Sequence, residues 1–177
     1  MADLNALTKK FVLHWGEMGA RWGINRTVAQ VHALLYLSPK PLNAEEIAKT
    51  LSVARSNVSN SLRELQSWGL IKMVHVLGDR RDHFESLKDV WQMFQIVLNE
   101  RKRREIDPTV AMLRETVEEL GESKTADPLT KQRLADMLEF FETANGCYGD
   151  IAHLPPSAWR KLAKIGSKVQ KLLALTS

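Results

Sequence analysis

The segment IAKTLSVARSNVSNSLRELQSWGLI, Ile47 to Ile71, reads as two short apolar-striped helices meeting at a three-residue corner. In its second half Val58, Leu62 and Leu65 fall on one helical stripe. Gly69 supplies the C-terminal cap. The other face carries Arg55, Ser56, Asn57, Ser59, Asn60 and Arg63. A face meant only for water favours Lys and Glu. Short hydrogen-bonding groups flanked by guanidinium forks instead suit a ligand whose edge alternates donors and acceptors.

Outward from this corner, nearly every segment predicts helix. Upstream, Phe11, Trp15, Met18 and Trp22 recur at helical spacing, with Gly16, Gly19 and Gly23 among them. Glycines cost about 1 kcal/mol each in a helix, so their recurrence implies close helix approach or a bent end. Thr27 is a candidate N-cap for a helix through VAQVHALLYLS that must stop before Pro39 and Pro41. Asn43 and Glu46 have the spacing of a capping box opening the helix with Ile47 and Leu51. Downstream, LIKMVHVL and HFESL flank GDRRD, predicting a two-stranded hairpin with Gly78 in its turn. From Lys88 helix resumes: Trp91, Phe94, Val97 and Leu98 share a face, Pro108 starts a further helix, and 121–128 is a connection. Leu129 to Phe141 forms another helix, and a last one carries Trp159, Leu162, Ile165, Val169 and Leu172. The fold class is mainly α, with a small hairpin and helical elements at both ends. The organisation is residues 1–26 for packing or dimerisation, 27–88 as the functional unit, and 89–177 as a helical dimerisation or effector region.

Charge localises the function. Of 177 residues, 44% are apolar, enough for a core, and the formal charge is +4. Lys plus Arg number 12 against 8 Asp plus Glu over residues 1–88, and 13 against 13 over 89–177. The whole basic excess lies in the first half, where a polyanionic partner is expected. A lone cysteine, Cys147, permits no intrachain disulfide. MADLNALTKKF has no secretory signature, and no apolar run approaches the roughly 18 residues that span a bilayer. The expectation is cytoplasmic, with no membrane association.

Helix, tight turn, helix and an arginine-bearing hairpin form the order of a winged helix-turn-helix. In that geometry the first helix braces and the second enters the major groove of double-stranded DNA. There Asn bonds adenine edges and Arg reads guanine. The expected DNA-binding residues are Arg55, Ser56, Asn57, Ser59, Asn60 and Arg63, with Arg80 and Arg81 at the hairpin tip reaching a minor groove. Asp79 and Asp82 are expected to hold those arginines. Glu45, Glu46 and Glu64 in the same region imply a few well-placed contacts more than bulk attraction. The alternative is a winged helix that binds protein without DNA.

The same core, with GDRRDHFES after it, resembles MarR-type bacterial regulators, whose wing reads Asp-Arg-Arg. HWGEMGARWGINRTVAQVHALLYLS before it and KDVWQMF behind it resemble the GbsR branch. The resemblance covers about Phe11 to Val97. It implies a homodimeric repressor or activator, with repression the expected role, that binds pseudo-palindromic operators and responds to a small-molecule effector. Such an effector would sit between the wing domain and the helices after Lys88. Ala54 departs from the pattern, standing where many such recognition helices begin with a capping Ser, so Ser52 or Ser56 would have to substitute.

The remaining signals are weaker. The last helix has an apolar stripe opposite Lys161, Lys164, Lys168 and Lys171, which implies a helical or dimer interface. Arg101, Lys102, Arg103 and Arg104 read as a solvated helix face, and the spacing of Trp15, Trp22 and Trp91 fits core packing better than an aromatic cage. His14, His32, His75, His83 and His153 are scattered without metal-ligand spacing, so no metal or cofactor is expected. Cys147 reads as a buried small apolar residue. No phosphate-cradling Gly loop, nucleophile elbow or convergent carboxylate pair suggests an enzyme.

Overall fold

The structure, a computed structural model, describes residues 5–123, 125–152, 154–155, 157–161 and 165. The chain divides into two compact units, Met1–Ile96 and Val97–Ser177.

The first unit contains α1 (Ala6–Arg21), α2 (Arg26–Leu37), β1 (Leu42–Asn43), α3 (Ala44–Leu51), α4 (Arg55–Ser67), β2 (Ile71–Val76) and β3 (Asp79–Ser86), and α5 begins at Val90. Its core is Val28, Val31, Ala33, Leu34 and Leu35 of α2, Ile47 of α3, Val58, Leu62 and Leu65 of α4, and Leu70, Ile71 and Phe84. The sheet is antiparallel in the order β1-β3-β2, with Leu42 opposite Phe84 and Met73 also opposite Phe84. β1 is a third strand that the proline-containing connection concealed.

The local signals explain each boundary. Asn25, not Thr27, caps α2: its side-chain oxygen accepts from the Thr27 N–H at 2.8 Å. Asn43 Oδ1 accepts from the N–H groups of Glu45 and Glu46 at 3.0 Å, while Glu46 Oε2 accepts from Asn43 N–H at 2.9 Å, completing the capping box. Ser52 closes α3 in the left-handed region at φ 56°. Gly69, at φ 76°, closes α4 through paired bonds, Gly69 N–H to Gln66 O at 2.9 Å and Leu70 N–H to Leu65 O at 3.0 Å. That pairing is a Schellman cap.

The glycines of α1 make a close helix contact. Val12, Gly16 and Gly19 form its buried face. A Cβ on Gly19 would lie 2.5 Å from Ala29 Cβ, and one on Gly16 would lie 2.6 Å from Gln30 Cγ. The aromatic stripe therefore does not lie in this unit's core: Trp15 is 37% and Trp22 58% exposed, and Trp91 is half-buried. Phe11 and Trp15 stack on the outer side at 5.4 Å. The expected core packing of Trp15 and Trp22 is thus corrected, because the small residues face α2 and turn the large ones outward.

A cation closes the C-terminal end of α2. Lys88 Nζ donates to the carbonyls of Leu35, Tyr36 and Ser38 at 3.2, 2.9 and 3.2 Å. These carbonyls have no intrahelical donor, and the helix dipole favours positive charge there. Burial, then the Lys88 charge, pushes His32 down to about 4.

In the second unit α6 (Asp107–Glu122) and α7 (Pro128–Ala152) pair, with Val110 and Leu113 buried. Arg114 Nε donates to Glu142 Oε1 at 2.6 Å. Pro108 does open α6, but no loop precedes it: a π-turn, Lys102–Ile106, leads in. A proline ring clashes with the carbonyl four residues back, and the wider turn relieves that clash. α7 runs 25 residues, past the expected end at Phe141, because Gly146 and Gly149 stay out of the left-handed region and Tyr148 Oη donates to Asn99 Oδ1 at 2.6 Å. Cys147 is exposed, correcting its expected burial: no residue of α7 is buried in this chain. Arg101, Lys102, Arg103 and Arg104 pair locally with Glu105, Asp107 and Glu100. Of the last predicted helix, Trp159 is buried and Ile165 exposed. Leu162, Val169, Leu172, Lys164, Lys168 and Lys171 lie outside the described residues.

Two outcomes are expected in urea unfolding. Gly19→Ala destabilises by roughly 1–3 kcal/mol despite its better helix propensity, because Ala29 Cβ cannot rotate away; adding Ala29→Gly restores most of the loss. His32 has a depressed folded pKa, so its stabilisation is complete above the ordinary His value of about 6.5. It is lost as pH falls towards 4, on the order of 2 kcal/mol after discounting for the half-buried residue. His32→Leu should flatten stability across that window.

Candidate nucleic-acid interface

Rotation of α4 about its axis is fixed by burial of Val58, Ser61, Leu62 and Leu65. With 3.6 residues per turn, this points Arg55, Ser56, Asn57, Asn60 and Arg63 to the surface, where all five are exposed, while Ser59 is half-buried at the edge. Arg80 and Arg81 are exposed too. All eight expected residues therefore lie at the surface of one unit, seven of them in two neighbouring clusters.

The larger cluster lines an open groove of about 410 Å³ between the start of α3, the outer face of α4 and β3. Arg55, Ser59, Arg63, Arg80 and Arg81 all line it, with Glu45, Gln66 and Asp82. Asn57 and Asn60 line a smaller cavity of about 170 Å³, with Asn25 and Thr27 from the start of α2. Ser56 lines neither of these two. Asn25 and Thr27 join the site only through the packing of α2 against α4, which periodicity does not reveal, whereas Gln66 lies three residues beyond Arg63 on α4 and could have been found from helical spacing.

Arg80 and Arg81 are not on the hairpin loop. The turn is two residues, Leu77 and Gly78, with Gly78 at φ 84°, and β3 begins at Asp79. Arg81 is held firmly. Asp79 accepts from its backbone N–H at 3.0 Å and from its Nε at 2.9 and 3.1 Å, and Glu45 Oε2 lies 3.2 Å from its Nη1. The Arg81 hydrogen bonds hold Asp79 well below the usual carboxylate range, and Asp79, then Glu45, raises Arg81. His83, buried beneath them, sets Nε2 3.5 Å from Asp79 Oδ2 and Nδ1 2.9 Å from the Arg81 carbonyl. Asp82 lines the groove but makes no hydrogen bond or ion pair to Arg80 or Arg81 among the described residues, so of the two expected braces only Asp79 acts.

Ala54 makes no side-chain cap for α4, and neither Ser52 nor Ser56 supplies one in its place. The first amides of α4 are left without a side-chain acceptor beside Arg55. That arrangement favours an outside anion through the helix dipole. Among the described residues no three His, Cys, Asp or Glu side chains converge as a metal site, and no helix is long and apolar enough to cross a membrane.

Comparison with known proteins falls on this same region. Residues 22–82 match the model of the MarR family. The chain is 25% identical over 84 residues to YvaV of Bacillus subtilis (strain 168), covering 48% of each chain. It is 21% identical over 111 residues to the HTH-type transcriptional repressor OpcR of the same strain, covering 63% of this chain and 60% of the other. The chain thus spans about half to three-fifths of those relatives' own length. A crystal structure of a transcriptional regulator shares its fold at a TM-score of 0.63 and 23% identity, over 82% of this chain and 95% of that one.

The Asp79 clasp is testable by itself. Because the folded pKa of Asp79 is depressed, the clasp is complete above the ordinary Asp range and lost only as pH falls through the lowered value. Asp79→Asn should speed amide exchange at Arg81 severalfold at pH 7 while leaving the global unfolding midpoint nearly unchanged, since exposed pairs contribute little to stability.

Proposed function

We propose, from the premise that residues 22–82 form a MarR-family winged helix, that this protein is a sequence-specific double-stranded DNA-binding transcriptional regulator of the GbsR-like branch. In this reading it acts as a homodimer on pseudo-palindromic operators, as a repressor released by a small-molecule effector, in the cytoplasm and without catalysis. One observation carries the reading: α4 buries Val58, Leu62 and Leu65 while presenting Arg55, Asn57, Asn60 and Arg63 beside an arginine-bearing wing. Asn and Arg are the residues that pair bidentately with adenine and guanine in the major groove. The open amides at the start of α4 suit a backbone phosphate. A name containing repressor belongs to the relative OpcR and supports the repressor role here.

Exposed apolar side chains in each unit support the homodimer. On α1 and at its C-terminal cap, Trp15 and Trp22 are exposed, and on α7, Met137 is 50% and Phe140 66% exposed. Such groups on long helices favour a second copy of the chain. Two α4 helices related by a twofold axis would then meet successive major grooves, with half-site centres about 10 base pairs apart.

Selection of bound duplexes from a random pool by the purified full chain tests this directly. The expected result is a pseudo-palindromic consensus with that spacing. Failure to enrich any duplex would favour a winged helix that binds protein. Against the selected site, Asn57→Ala should lose roughly tenfold or more, corresponding to about 1–3 kcal/mol of base discrimination, while random duplex loses far less. Equal losses on both would remove Asn57 from base reading.

A further inference from the structure

Glu45 occupies a place that attraction to a polyanion alone would not fill. It lies in the first turn of α3 with its side chain 52% exposed, at the mouth of the groove. Its Oε1 is 3.7 Å from Nη1 of Arg55, the first residue of α4, and its Oε2 is 3.2 Å from Nη1 of Arg81 on the wing. One carboxylate therefore spans the two cationic arms that the proposed duplex must contact. Helix capping does not require it, because Asn43 and Glu46 already form the capping box.

We infer that Glu45 is a specificity-determining residue that stands in for a backbone phosphate between Arg55 and Arg81. The inference rests on the duplex-binding reading and deepens it. A phosphate approaching either arginine has to displace this carboxylate and meets its negative charge. On random duplex the contact is almost wholly electrostatic, so that penalty falls directly on affinity. On a matched site, base contacts from α4 hold the duplex in one register, so fewer phosphates have to displace the carboxylate and the penalty is smaller. Glu45 also fixes the separation of Arg55 from Arg81 before DNA arrives, which favours duplexes whose phosphates fit that spacing. Arg80 and Arg63 line the same groove, and their side chains make no hydrogen bond or ion pair among the described residues, so they contribute attraction that Glu45 does not restrain.

The test uses the full chain, the selected operator and a random duplex of equal length, titrated over a salt series. Glu45→Gln should tighten random duplex about threefold to tenfold and the operator by less than twofold, so the ratio between them falls. Its log-affinity slope on random duplex should steepen by about one as a restrained arginine becomes available to phosphate. Glu45→Asp retains the charge and should hold the ratio near that of the unmodified chain. An unchanged ratio in Glu45→Gln, or equal weakening on both duplexes with a lowered unfolding midpoint, would overturn the inference and leave Glu45 as a helix-start residue. If the unmodified chain binds neither duplex, the DNA-binding reading itself fails. That result is distinct from binding with an unaltered ratio.

Discussion

The packing of one helical face fixes everything the site presents. Val58, Leu62 and Leu65 are at most 3% exposed, and Ile47, Leu35 and Leu70 are equally buried in the same core. Each fully buried side chain of this kind contributes about 1.5–3 kcal/mol. Turning α4 by a single residue would rotate it about 100°, withdrawing these groups from the core and burying Asn or Arg in their place. The polar face is thus outward by necessity, and the proposed DNA-contacting residues of α4 inherit their direction from hydrophobic burial elsewhere on the same helix. Ser61 is the only polar residue of α4 that the core accepts, and it satisfies its hydroxyl by donating to the Asn57 carbonyl at 2.8 Å.

Around this helix the chain adds restraints that locate the wing and the brace. Close approach of α1 and α2 depends on two glycines that leave no room for a side chain. Lys88, immediately after the wing, ties that segment back to three carbonyls at the end of α2, and Leu87 N–H bonds the Leu70 carbonyl at 3.1 Å. Phe84 and His83 anchor β3 from below, while Asp79 and Glu45 hold Arg81 from above. The wing is therefore a supported arm whose cationic groups are set against α4 before any ligand arrives. Such preorganisation lowers the ordering cost of binding.

What the sequence made legible follows from how local each signal is. Periodicity located α4, its buried stripe and its outward face, and glycine marked its end, because these depend on residues a few positions apart. The capping box at Asn43 is equally local. Contacts between distant positions were not legible: Glu45 with Arg81, Asn25 beside Asn60, and the two-residue β1 against β3 appear only after folding. At α1 the recurring glycines did mark a close helix approach, while the large aromatic stripe beside them does not pack in that interface. At α7 the helix was expected to end at Phe141, yet it continues through Gly146 and Gly149 to Ala152. The role of Arg81 changes similarly. An arginine at the hairpin tip held by Asp79 and Asp82 was expected, whereas Arg81 lies within β3 and is clasped by Asp79 and Glu45.

The central claim is that the outward side of α4 and the neighbouring wing receive the duplex together. Backbone amide shifts of the isotope-labelled chain during titration with an operator duplex measure this most directly. The largest changes are expected on residues 54–63 and 78–82, with smaller ones at the starts of α2 and α3. Shifts concentrated on the aromatic side of α1, with residues 54–63 unmoved, would contradict it.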